Sequence, residues 1–185
     1  MSDCFEENLI RHCAATPAGH KCGSLFSYSP DAAENVRTQI DEANVLLADK
    51  GIRALLLKAC PRGSLVYVYR PSKLRQRLCE PETAAYLRTL GYDPSDAEAC
   101  LSFLASRIVC SDFPHEIGIF LGYPTEDVEG FIAHKGEHYK LCGSWKVYGD
   151  PERAQRSFRN YERCRKFLCN KLNQGVDIYH ALKIS

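Results

Sequence analysis

Cys13 lies in the run His12-Cys13-Ala14-Ala15-Thr16-Pro17, with Lys21 shortly after it. A thiol just ahead of a helix opening at Thr16-Pro17 would have its thiolate favoured by the helix dipole and by the lysine ammonium. Such a thiol becomes a nucleophile once a base takes its proton, and His115, with Glu116 beside it, is the base that a distant part of the chain can bring. Neighbours on a strand point to opposite faces, so Glu116 does not orient His115 from the same strand. It is expected instead to cap a helix or to pair with Lys21 or Lys146. The opposing reading makes Cys13 a packed core thiol and His115 the hydrogen-bonded end of a strand.

A second group is Trp145-Lys146-Val147-Tyr148, which carries the only tryptophan. On a strand, Lys146 and Tyr148 share one face, where a flat ligand can stack and an anion can be neutralised. Alternatively Trp145 and Val147 fill the core while Lys146 and Tyr148 reach the surface. A third feature is the series Arg153, Arg156, Arg159, Arg163 and Lys166, a basic stripe at helical spacing opposite Phe158 and Tyr161. It suits an acidic protein partner, such as a flavodoxin-like one, better than nucleic acid, or else it is a solvated face. No C-x-x-C pair occurs, Cys164 and Cys169 are five apart, and Gly136 interrupts His134 and His138, so no metal site is expected. No zincin, serine-hydrolase or P-loop motif is present, and these residues leave the cofactor unknown.

The elements that must position these groups follow from periodicity. A short helix runs from a cap at Ser2-Asp3 to His12, with Phe5, Leu9 and either His12 or Cys13 inward, and a brief helix follows at 18–21. Ser29-Pro30-Asp31 opens a long helix to Lys50 that buries Val36, Ile40, Ala43 and Leu47. Residues 52–59 and 64–69 read as an antiparallel strand pair. Pro71, Pro81 and Pro94 each open a helix, and three in succession exclude a regular βαβ repeat. His115 to Leu121 reads as a third strand, 126–135 as a helix, 139–148 as a fourth strand, and Pro151 to Leu172 as a final helix capped at Asp150. The fold class is therefore α+β, a single domain over 1–185 with a small mixed or antiparallel sheet of about four strands and several packed helices.

Composition is consistent with this. The 185 residues, 45% hydrophobic and 25% charged, suffice for one core and exclude disordered and fibrous classes. Lys and Arg number 24 against 23 Asp and Glu, so attraction to a polyanion must come from a local patch. No run approaches the roughly 18 apolar residues of a membrane span, so no membrane partner is expected. The acidic start MSDCFEENLIRHC has no basic and apolar leader pattern and reads as cytoplasmic. In a reducing compartment the ten cysteines are mostly small buried hydrophobes, not bridges.

Three segments together, HCAATPAGHK at 12–21, FPHEIGIFLGYP at 113–124 and CGSWKVYGD at 142–150, resemble an uncharacterised domain-of-unknown-function family of anaerobic bacteria. The resemblance covers essentially the whole chain. It implies a cytosolic protein, sometimes encoded near flavodoxin-like proteins, and carries over no activity. The chain departs from the family pattern within Ala15-Thr16-Pro17 and keeps Cys13, Gly19 and Lys21. Two functions follow as expectations: a thiol-dependent enzyme using Cys13, Lys21, His115 and Glu116, or a redox-partner or ligand-binding module using Trp145, Lys146, Tyr148 and the basic helix face.

Overall fold

A computed structural model describes residues 5–28, 33–60, 63–110 and 113–182, so the helix starts expected at Ser2-Asp3 and Ser29-Pro30-Asp31 lie outside the described residues. The elements run α1 (Phe5–Cys13), β1 (Gly23–Tyr28), α2 (Ala33–Leu47), β2 (Arg53–Lys58), β3 (Ser64–Tyr69), α3 (Pro71–Leu78), α4 (Pro81–Thr89) and α5 (Ala97–Cys110). They continue with α6 (Ile117–Phe120), α7 (Thr125–Ala133), β4 (Leu141–Cys142), β5 (Lys146–Val147), α8 (Pro151–Asn173) and α9 (Ile178–Ala181). This is an α+β fold with two small antiparallel sheets, one of order β1-β3-β2 and one formed by β4 and β5.

The three-stranded sheet carries apolar side chains on both faces, so helices must cover both. Phe26, Tyr28, Ala54, Val66 and Val68 face a core completed by α1, α2 and Leu168 of α8. Leu57, Tyr67 and Tyr69 face a second core built from α3, α4, α5 and α6. Within α2 the expected stripe of Val36, Ile40, Ala43 and Leu47 is buried. In α1 the inward residue of the pair left open is Cys13, with no exposed surface, while His12 is exposed.

Three sequence expectations are corrected. Residues 115–121 do not form a strand; Ile117 to Phe120 make a single helical turn, buried on every side. A short run that is apolar all round looks the same whether it is a buried strand or a buried helix. Residues 18–21 are not a helix but a turn and bend, and the strand at 23–28 was not foreseen in GSLFSY, which has no β-branched residue. The expected strand at 139–148 is a small hairpin of two residues per strand.

Thr16 caps no helix. Its hydroxyl, 2.7 Å from the hydroxyl of Ser24, ties the loop to the sheet. Arg70, one residue past β3, fixes the same loop. Its Nε donates to the Thr16 carbonyl at 2.9 Å, one terminal nitrogen to the Lys50 carbonyl at 3.0 Å, and the other to the Pro17 carbonyl. We expect Arg70→Met to lower unfolding free energy in urea by about 2–4 kcal/mol, because charged hydrogen bonds are lost and part-buried carbonyls go unpaired. Arg70→Lys should restore only part of that, since one ammonium does not span three carbonyls held by a planar fork.

Candidate functional site

The best-formed cleft lies where α6 and α7 meet the β4–β5 hairpin, and one carboxylate organises it. Asp127 sits in the first turn of α7 and is buried at 3% exposure. Its Oδ2 accepts the Trp145 indole N–H at 2.7 Å, and its Oδ1 accepts the backbone N–H groups of Tyr148 and Gly149 at 2.6 and 2.7 Å. Immediately afterwards Asp150 caps α8 by accepting from the backbone of Glu152 and Arg153. The hairpin is thus fixed to the start of both helices.

Ring packing completes the wall. Trp145 stacks on Tyr123 with centroids 4.8 Å apart and meets Phe158 edge-on at 4.6 Å. At Gly143 an added Cβ would come 2.2 Å from the Phe158 ring, so only glycine lets the hairpin lie on α8. Gly130 of α7 is required in the same way under the ring of Tyr148.

The cleft has a volume of about 340 Å³. Ile117, Leu121, Val128 and Phe131 form its floor and Trp145 its wall, while His115, Cys142 and Lys146 line it with exposed or part-exposed polar groups. His115 stands edge-on to Phe131 at 5.0 Å. The Lys146 ammonium donates to the Gly136 carbonyl at 2.7 Å and lies 4.9 Å from the centre of the Tyr139 ring. Val147 is fully buried, whereas Tyr148 is partly exposed and stacks on His134.

The structure separates the residues expected to form a thiol site. Cys13 ends α1 and packs in the core that includes Phe5, Leu9 and Val36. His115 lines a cleft bordering the core on the other face of the sheet. The helix N-terminus expected to activate Cys13 is absent, and burial pushes its thiol up to about 12 despite the nearby Lys21 charge. Glu116 does not pair with either lysine. It is buried, lies 2.5 Å from Nε of Arg107 and accepts the Tyr92 hydroxyl at 3.0 Å. Burial and that carboxylate raise the Tyr92 phenol. Glu116 thus joins α5 to α6, a structural task that the misread strand concealed.

On α8 all five basic residues of the stripe are exposed. Arg156 and Lys166 have carboxylates at 4.0 and 3.6 Å, from Glu152 and Glu162. Among the described residues Arg153, Arg159 and Arg163 have none within ion-pair distance. Among the described residues no group of three His, Cys, Asp or Glu side chains is arranged to hold a metal ion. Also among the described residues, no helix is long and apolar enough to cross a membrane.

Residues 9–182 match a family whose members are described as proteins of unknown function, DUF3793. The chain belongs to the DUF3793 family. No curated protein and no solved structure matches it. The match to DUF3793 reaches from within α1 to the end of α9 and includes the whole cleft. Of its lining only His115, Trp145 and Lys146 were among the sequence-derived candidates; Tyr123, Asp127, Val128 and Phe131 were not. An acid in the first turn of a helix ordinarily complements the dipole, so nothing in Thr125-Glu126-Asp127 marks Asp127 as the buried one.

Thiol reactivity follows from this arrangement. With its pKa at about 12, Cys13 carries about a thousandfold less thiolate at a given pH than a thiol at the ordinary value of 9.0. Limiting iodoacetamide near pH 8 should therefore label the exposed Cys79 and Cys142 first. Peptide mass spectrometry should find Cys13 labelled only after denaturant is added.

Proposed function

We propose that this protein is a binding module for a small, flat, largely apolar molecule seated beneath Trp145, with the ligand's polar edge turned toward His115 and Lys146. The observation that carries this reading is a cleft already formed, at the small end of the volume range of ligand sites, whose wall is held by three hydrogen bonds to Asp127. An apolar floor supplies affinity through the area it removes from water, and a few polar groups at the edge set orientation. Because Trp145, Phe131 and the edge residues Lys146 and His115 belong to different elements, the site exists only in the folded chain. Thiol chemistry at Cys13 has weaker support, since the sulfur is enclosed in a core and the sheet stands between it and His115.

The reading is tested with 1-anilinonaphthalene-8-sulfonate, a flat apolar anion. It should bind the native protein saturably and quench Trp145, the single tryptophan. Cys142→Trp places a large ring at an exposed position of the lining and should weaken dye binding at least about tenfold while shifting the melting temperature by no more than about 3 °C. Dye binding equal in wild type and variant would locate the ligand elsewhere and defeat the proposal.

A second reading is favoured by the three arginines on α8 that lack a carboxylate: an acidic partner, such as a flavodoxin-like protein, on that exposed face. Changing Arg153, Arg159 and Arg163 to Glu should leave the melting temperature within about 3 °C and abolish salt-sensitive binding to a purified flavodoxin, measured by titration at low ionic strength. Binding that survives the triple reversal would reduce the stripe to a solvated face.

A further inference from the structure

A groove separate from the cleft lies between the end of α1, the start of β1 and α8. Its volume is about 340 Å³, and Tyr123 and Tyr161 form two of its walls. Lys21 lines it as well. The side-chain stem passes Gly122, where an added Cβ would lie 3.8 Å from Lys21 Cγ, and the ammonium reaches positions 5.2 Å from the Tyr123 ring centre and 5.7 Å from that of Tyr161. Among the described residues no carboxylate lies within ion-pair distance of this ammonium and no carbonyl accepts from it. On its inner side the titratable neighbours are the thiols of Cys13 and Cys22, which burial keeps protonated and neutral.

Such a cation is costly to keep. Desolvation lowers the Lys21 pKa, and the two phenol faces offer only part of what water would supply. A charge drawn out of water without an ion pair destabilises the fold unless something binds it. The surrounding charges say what that something is. Arg11 and Arg165 also line the groove, and its single carboxylate, Glu162, is already engaged by Arg165 at 2.8 Å and by Lys166 at 3.6 Å. The groove thus offers an uncommitted ammonium among aromatic walls, with a guanidinium at Arg11 and no free negative charge.

We propose that this groove binds a small organic oxyanion, a carboxylate or phosphate carried on a flat aromatic body, with the anion on Lys21 and the body against Phe158 and Tyr161. The site stands apart from the cleft beneath Trp145 and does not depend on a ligand there. Arg11 adds long-range attraction at the rim, where it is exposed. The hydroxyl of Tyr161 has no hydrogen-bond partner among the described residues and supplies a donor. Phosphate and carboxylate share the chemistry that Lys21 recognises, so the two are distinguished by the probe and not by the site.

The probes are phenyl phosphate, benzoate, inorganic phosphate and, as a neutral control, phenol, titrated calorimetrically into the wild-type chain. Phenyl phosphate or benzoate should bind at least about tenfold more tightly than phenol, the difference made by one charge-assisted contact. Lys21→Met should remove that preference without lowering the melting temperature, because it deletes a desolvated charge. Lys21→Arg should keep most of the preference, and Arg11→Glu, at an exposed position, should weaken it about three- to tenfold while the protein stays folded by circular dichroism. Bound phenyl phosphate or benzoate should also slow acetylation of Lys21 by acetic anhydride relative to exposed lysines such as Lys166, read by peptide mass spectrometry. Either of two results overturns the proposal: no anion preferred over phenol by the wild type, or a preference unchanged in Lys21→Met.

Discussion

The architecture depends on a central strand that is buried on both faces. In β3, Val66 and Val68 face one core while Tyr67 and Tyr69 face the other, and all four are enclosed. Tyr67 sets the strongest condition, because a buried phenol must find an acceptor. It donates to the Phe120 carbonyl at 2.6 Å, and the Cys22 thiol donates to the same oxygen at 3.3 Å. That shared acceptor anchors the one-turn helix α6 beneath the sheet. The Tyr67 ring lies over β1 at Gly23, where an added Cβ would come within 2.2 Å of the hydroxyl, so the strand beside it is bare at the point of crossing. From α6 fixed in this way follow the positions of Ile117 and Leu121 in the cleft floor and of His115 at its edge.

A second polar centre serves the other half of the molecule. Asp127 satisfies an indole and two backbone amides that come from a hairpin too short to stabilise itself. The hairpin contributes little ladder of its own and borrows order from α7 and from the rings of Tyr123 and Phe158. Networks of this kind hold together as a unit, since each buried donor depends on the same carboxylate. Tyr123 joins the two candidate sites physically, its ring centre 4.8 Å from that of Trp145 and 5.2 Å from the Lys21 ammonium.

The helices were legible in the sequence because their signals are local: Pro71, Pro81 and Pro151 stand at first helical positions, and Val36, Ile40, Ala43 and Leu47 keep their spacing. The strand pair at 53–58 and 64–69 was legible through its β-rich composition. What was not legible depends on partners distant in sequence. Gly23 to Tyr28 becomes a strand because β3 needs a second neighbour, and Ile117 to Phe120 becomes helical because a layer beneath the sheet has room for one turn. At the sites, Trp145, Lys146 and His115 do meet in one cleft, whereas Cys13 does not join them. The error at Cys13 was geometric: Thr16-Pro17 has the residue types of a helix start, but Arg70 and Ser24 hold that segment as turns. No pattern local to residues 10–25 contains that information.

The strand order has a kinetic side. Pairing β2 with β3 closes the five residues 59–63, while pairing β1 with β3 must close residues 29–63, seven times as many. For a flexible chain that difference is worth about 1.7 kcal/mol of closure entropy, so the hairpin is the cheaper nucleus and α2 must shorten the longer span before β1 docks. On the ribosome the first strand of this sheet to be synthesised is therefore the last of its three to pair. Until it does, Cys13 and Cys22, both buried in the finished molecule, stand open to any oxidant in the surroundings. The interval between synthesis and docking, more than the native state, is when the redox condition of the host matters to these two thiols.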